Sequence, residues 1–422
     1  MKTNFSRVME QIDPAPLSRW QLGWLAAAVF VTTAGYGALM PLLPRWLEMM
    51  MQDASPGEIA SHVGMLSGAY AAGVLVGAPL WGIASDRVGR GRILIMGLVG
   101  YVVSLLLLLR ADLPDVWSLY LLRAATGFFV AAVIPLVPAL VAAHTSEKLR
   151  ARRFAWLSGL SLVGFLFGPG LIALADVLAG WLGHSETDPE RLTQIVILLS
   201  ALLGAITMLG LAATLPSRNS LDTVKTKSSA PFRLWDVLPL LGLSGTVMFV
   251  LSGFELGIVL QGQKHIDLSS QDIAWMFAEC SIAMLLVNGI LFFTSILENT
   301  EPRRLAGVGL ILAIGGLFVL GQHQSQLWMY AGIGMMATGT GLILPVIAYL
   351  AAGTDSQTLG TTMGSLAAAA GLGQTLGSSA GGWLFGVVGQ HSFSWLILPL
   401  GLTLLLLGTH SDRWTMATTM PR

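Results

Sequence analysis

Three ionisable residues stand in stretches that are otherwise almost wholly apolar: Arg123 in LYLLRAATG, Glu255 in LSGFELGIV and Glu279 in MFAECSIAM. Holding such a group at the centre of an apolar helix costs ~2.5 to 3.5 kcal/mol or more, so each needs a partner, water or neutrality. A guanidinium stays charged and has to find a carboxylate or a bound solute. A carboxyl in oil can instead hold a proton. If it takes that proton from one side, releases it on the other and competes with a solute for the charge, it supplies proton coupling. Glu255 and Glu279 fall on consecutive helices, each about seven residues or ~10 Å from the same end, as does Arg123. The three are therefore candidates for a shared proton-coupling and substrate site. Glu255, flanked by Gly253 and Gly257, also fits a bend whose carboxylate simply faces water.

Neighbouring polar groups get plainer readings. Asn288 follows Glu279 by nine residues, a rotation of ~180° on a helix, so it is expected on another face as a hydrogen-bonder between helices. Asp176 is expected in water near a helix end, and Cys280 in the packed core. Tyr36, Tyr70 and Tyr349 are candidates to line a central path.

The elements that position these residues follow from composition. Of the 422 residues 54% are hydrophobic and 11% charged, against roughly 25% charged in a soluble domain. Apolar blocks of about 20 residues match the ~20 that a helix needs to cross ~30 Å of hydrocarbon. Twelve fit, near 21–44, 60–84, 93–110, 116–142, 154–180, 193–215, 237–261, 272–297, 304–321, 327–351, 359–388 and 394–409. Strands are excluded because runs such as Ser104 to Leu109 do not alternate, and a backbone in lipid has to satisfy its own hydrogen bonds. The expectation is an all-α membrane protein of 12 transmembrane helices in two pseudo-symmetric six-helix halves. Residues 1–20 form an N-terminal segment, 21–215 the first half, 216–236 a linker, 237–409 the second half and 410–422 a tail.

Orientation comes from Lys and Arg, which short cytoplasmic loops retain. With both termini inside, 18 of the 23 fall on the cytoplasmic side, 4 outside and 1, Arg123, within a span. Residues 1–20 contain Lys2 and Arg7 but no apolar core before a small-residue cleavage site, so no removable signal peptide is expected. Trp20, Trp24, Trp46, Trp117, Trp235, Trp328 and Trp395 fall near span ends and are expected as interfacial anchors. No hydrolase elbow, metal-ligand cluster or GxxxxGK[ST] loop is present, which argues against an enzyme and against direct ATP drive.

Between the second and third blocks runs GIASDRVGRGR, with Gly82, Asp86, Arg87, Gly89 and Arg90 in a short basic loop. It resembles the signature loop of the major facilitator superfamily, departing at Gly91, where the family usually has a second basic residue. The resemblance implies an ion-pair latch that holds the outward-facing state, whereas the plainer reading is a basic topology anchor. The fourth block's LYLLRAATG resembles the family's motif with a membrane-embedded arginine, which implies a part for Arg123 in proton transfer. Gly164, Gly168 and Pro169 resemble the exporter motif of the fifth helix, although Gly170 and Leu171 depart from its usual spacing. GYGALMPLLP at 35–44 looks like the first helix of drug and tetracycline proton antiporters, with Thr32 where many members carry Asp. The glycines of the fifth block are echoed in the eleventh by Gly373, Gly377, Gly381 and Gly382, which also fits mere close helix packing.

Together these imply a secondary transporter in a bacterial inner membrane, exporting a small organic molecule in exchange for protons by rocking of the halves. No cofactor or metal, no nucleic-acid partner and a monomer in the lipid bilayer are expected. An importer or uniporter of the same fold, and a membrane sensor without transport, are the alternatives.

Overall fold

A computed structural model describes residues 17–109, 116–144, 147–181, 189–215, 234–264, 268–294, 296, 300–323, 325–352 and 359–409. Residues 1–16, 216–233 (most of the expected linker) and the tail 410–422 lie outside the described residues, as do the side chains of Asp86 and Pro169.

Helices dominate, and local chemistry sets their ends. Helix α1 (Arg19–Leu39) starts at a capping box, in which Ser18 accepts from the Gln21 N–H while the Gln21 side chain accepts from the Ser18 N–H. Pro41 and Pro44 then withhold two backbone donors, and the chain passes through a 3-10 turn, Met40–Leu42, into α2 (Leu43–Met50). Helix α3 (Pro56–Val88) opens on a second box, Ser55 with Glu58, and has Pro56 in its first turn, where no donor is lost. It ends at Gly89, whose φ of 105° suits glycine, so that α4 (Arg90–Leu108) begins one residue later.

Next come α5 (Val116–Val130) and α6 (Val133–Ala143), parted at Ala131 and Ala132 because Pro135 cannot donate to the carbonyl four residues back. Pro169 has the same effect between α7 (Glu147–Leu166) and α8 (Gly168–Trp181). The remaining long helices are α9 (Pro189–Thr214), α10 (Leu234–Lys264), α11 (Ser270–Phe293), α12 (Pro302–Gly321), α13 (Gln326–Ala352) and α14 (Leu359–Val388). Short α15 (Ser392–Trp395) and then α16 (Ile397–Thr409) follow a 3-10 turn at Gly389–His391. Most helices outrun the expected blocks by two to seven residues because their polar caps add turns that hydropathy does not register. Eleven helical stretches among the described residues are long and apolar enough to cross a membrane.

Several large apolar side chains face outward, including Leu121, Leu209 and Leu402. In water that would be unfavourable, but against lipid tails it costs nothing. Trp20, Trp117, Trp328 and Trp395 are exposed as interfacial anchors should be, whereas Trp46 is buried and Trp24 packs against Gly210, so those two serve packing.

Glycines fix the helix crossings. A β-carbon on Gly64 would stand 2.8 Å from Gly382 Cα, and one on Gly386 2.7 Å from the Gly57 carbonyl oxygen. Both are inside van der Waals contact, so α3 and α14 touch backbone to backbone. The contact continues through Gly68 with Thr375 and Ser379 to Leu75 with Gly371, in antiparallel register. The next pair of that register is Gly82 with Gly364. A side chain on Gly82 points almost where one on Gly64 does, five turns away. Yet among the described residues neither Gly82 nor Gly364 has an atom within 4 Å of where a β-carbon would stand. The two helices thus meet at the Gly57 end and part at the Gly82 end. Helices α7–α8 and α11 meet as well: Phe165 lies edge-on to Phe277 at 5.5 Å, Ala274 joins Leu171 and Ile172, and Leu285 comes to 4.0 Å from where a β-carbon on Gly159 would stand.

Candidate functional site

Helix α5 lies against α3 at close range, since a β-carbon on Gly73 would stand 2.8 Å from Phe128 N and one on Gly127 2.8 Å from Tyr70 C. That approach sets Arg123 beside Tyr70. The guanidinium carbon lies 5.0 Å from the Tyr70 ring centroid, and Arg123 is 1% exposed. The sequence led us to expect a carboxylate partner or a bound solute. The structure instead surrounds the cation with the phenols of Tyr70, Tyr36 and Tyr101, and no carboxylate among the described residues reaches it. Its Nε and Nη2 atoms are buried without a hydrogen-bond partner. A desolvated cation–π contact is worth about 2 kcal/mol. Leaving buried donors unsatisfied costs ~1 to 3 kcal/mol, so the ring does not fully compensate the burial.

Tyr36, from α1, links this cluster to the second part of the chain. Its ring lies 5.0 Å from that of Tyr70 and 6.0 Å from that of Phe165, its hydroxyl is hydrogen-bonded to the Gln374 side chain, and it lies in the electrostatic field of both Glu255 and Arg123. Glu255, on α10, is partly buried and has no hydrogen-bond partner among the described residues. Glu279, on α11, keeps Oε2 buried and unpartnered while Oε1 approaches Gly334 of α13. The carboxylates do not touch, but the buried Cys280 lies in the field of both. Arg123 and Glu255 therefore each act on Tyr36 without reaching one another, and Glu279 stands beside Cys280. Tyr349 is exposed on α13 and Asp176 exposed on α8.

One expectation is corrected. The Asn288 amide donates to the Met284 carbonyl one turn back on its own helix, 2.8 Å, and so does not tie two helices together. Arg90 Nη1 reaches the Ala139 carbonyl at the end of α6, 3.5 Å, which fastens the loop to that helix; Arg87 is exposed. The position of Thr32, where an Asp was considered, is buried, and its hydroxyl donates to the Ala28 carbonyl at 2.8 Å, leaving no free acid or donor there.

Sequence reasoning missed Gln374, Tyr101 and Gln261. Gln261 is fully buried near the end of α10 with both amide atoms unpartnered. A glutamine in an apolar block was a readable signal for both amides, whereas Tyr101 is placed only by its packing with Gly35 and Gly204.

Gly164 and Gly168 set α7–α8 against α1: a β-carbon on Gly168 would stand 2.7 Å from Ala38 N. Gly373, Gly377 and Gly381 set α14 against α10 likewise, with Gly381 2.7 Å from Gly253 Cα by the same measure.

Charged groups shut inside a bundle of lipid-facing helices that is closed at one end and parted at the other define a membrane transporter. Residues 25–292 match the model of the Major Facilitator Superfamily, and the chain belongs to that family. It is 32% identical over 211 residues to the tetracycline resistance protein, class B, of Escherichia coli, a match covering 49% of each chain. Multidrug resistance protein 2 of Bacillus subtilis is 23% identical over 390 residues, 90% of this chain and 94% of that one. In overall fold the chain resembles the POT family transporter PepTSo, with a TM-score of 0.72 over 95% of this chain and 99% of that one, at 13% identity.

Proposed function

We propose that the chain is a proton-coupled exporter of a small organic molecule, working by alternating access, with Arg123, Glu255 and Glu279 as its coupling and substrate groups. The observation that carries this is a buried guanidinium, Arg123, with Nε and Nη2 unpartnered, and a carboxyl, Glu255, with no hydrogen-bond partner among the described residues, both within electrostatic reach of Tyr36. Charges left uncompensated inside a membrane persist where function requires them. Relatives named as tetracycline and multidrug resistance proteins favour export over uptake.

We read the architecture as twelve crossings in two pseudo-symmetric halves, 21–215 and 237–409. The stretch Gly364–Thr409 is 46 residues long, about twice what one crossing needs, and it turns at Gly389, where φ is 59°. The matched glycine contacts of α7–α8 on α1 and of α14 on α10 support the pseudo-symmetry. The Lys and Arg bias puts both termini in the cytoplasm of a bacterial inner membrane. The parted Gly82 end then faces the cytoplasm, and the signature loop beside it is the latch that holds the outward-facing state.

The test is transport in inside-out vesicles under an imposed pH gradient, with tetracycline as the first probe. The native chain is expected to accumulate the probe when the lumen is acidified. Glu255→Gln, Glu279→Gln and Arg123→Ala should each lower gradient-driven accumulation at least tenfold, while the glutamine variants keep probe exchange without a gradient. Normal accumulation in all three would overturn the assignment of these groups.

A further inference from the structure

In a guanidinium, Nε and Nη2 share one edge, and their N–H bonds run side by side at the spacing of the two oxygens of a carboxylate. In Arg123 these are the two nitrogens that are buried and unpartnered. The chain supplies the cation with a ring, Tyr70 at 5.0 Å, and with phenols around it, but it leaves the fork empty. From the same point an aromatic run leads away across three further helices: Tyr70 to Tyr36 at 5.0 Å, Tyr36 to Phe165 at 6.0 Å and Phe165 to Phe277 at 5.5 Å. Tyr70 lies five residues, ~7 Å along the helix, from Leu75, the last residue at which α3 still touches α14 before the two part. In this form the fork is therefore enclosed, ~7 Å short of the point where the two helices part.

We propose that Arg123 is a substrate-recognition residue for a planar oxyanion, and that the cargo class is aromatic carboxylates, held by two parallel hydrogen bonds to Nε and Nη2 with the ring system along Tyr36 and Phe165. This rests on the transport reading and narrows it. A lysine cannot replace the fork, because it offers a point charge on a flexible stem. A neutral amide of the same shape presents an N–H where the fork needs an acceptor. The partly buried carboxyl of Glu255, within electrostatic reach of Tyr36, leaves a place for a cationic group elsewhere on the same molecule.

The matched pair 1-naphthoate and 1-naphthamide separates charge recognition from ring packing. Titrated calorimetrically into the purified chain in lipid nanodiscs without a pH gradient, the naphthoate is expected to bind at least about tenfold more tightly than the amide. Arg123→Lys and Arg123→Gln should erase that preference. Equal binding of the two compounds by the native chain, or no binding of the naphthoate, overturns the proposal without recourse to any variant. So does an Arg123→Lys protein that keeps the preference. Because no gradient is imposed, these results stand apart from the vesicle experiment: coupled transport can fail while the preference holds, and the reverse.

Discussion

The interior of this chain is organised around one cation that has a ring for a neighbour where a carboxylate would be expected. Tyr70 supplies that ring, and it also packs its backbone against Gly127, so that its position is set by the α3–α5 contact. Ring and hydroxyl can be separated by substitution. Tyr70→Phe keeps the quadrupole over the guanidinium and should leave stability nearly unchanged. Tyr70→Leu removes it from a desolvated cation and should cost about 2 kcal/mol or more, read as a drop in thermal midpoint of the detergent-purified protein. Equal midpoints for the two variants would mean that Tyr70 serves only as a spacer. That Arg123, Glu255 and Glu279 would be drawn out of lipid into the bundle was legible from their charge inside apolar blocks. That Arg123 finds tyrosines was not, because Tyr36, Tyr70, Tyr101 and Arg123 come from four helices whose mutual rotation no single periodicity gives.

Helices here are held together by missing side chains. Where α3 crosses α14 and α14 crosses α10, the contact surfaces are glycines whose β-carbons would collide with backbone rather than with a side chain able to turn away. Adding bulk at such a point forces whole helices apart, so Gly64→Val and Gly377→Val should each destabilise by about 1–3 kcal/mol or more. Gly242→Val, at a glycine with no atom within 4 Å, should be close to neutral. Thermal midpoints of the three variants check this, and a loss at Gly242 equal to that at Gly64 would contradict it. The sequence made the fifth and eleventh glycine series visible as an echo, and the structure gives both the same task, one against α1 and one against α10. The helix ends were legible too, in Ser18, Ser55-Pro56 and Ser269-Ser270-Gln271-Asp272, but hydropathy windows pass over such caps because their residues are polar. Nothing in the spacing of Gly82 distinguished it from Gly64. They differ only in whether the facing helix is still near at that depth.

At the scale of the molecule, the register between α3 and α14 makes alternating access measurable. Pairs Gly57 with Gly386 and Gly64 with Gly382 are in contact, while Gly82 and Gly364, further along the same register, each have no atom of the described residues within 4 Å of a β-carbon. If the halves rock about the level of Arg123, closing one set opens the other. The chain has a single cysteine, Cys280, which is buried, so Cys280→Ser gives a clean background for introduced pairs. In that background Gly68→Cys with Ser379→Cys, whose β-carbons would stand 3.5 Å apart, within the range of a disulfide, should join rapidly under mild oxidation and lock the present form. Transport should then stop and return on reduction. Gly82→Cys with Gly364→Cys should stay reduced in this form and join only when the opposite end opens, so that a substrate or a proton gradient favouring the other state speeds its formation. The two bonds should exclude one another: a chain carrying both pairs forms either, not both. A protein that formed both at once, or that transported normally with the Gly68 and Ser379 pair closed, would not be rocking about this crossing. The path of the cargo would then have to be sought along α7–α8 and α11, where Phe165 and Phe277 meet.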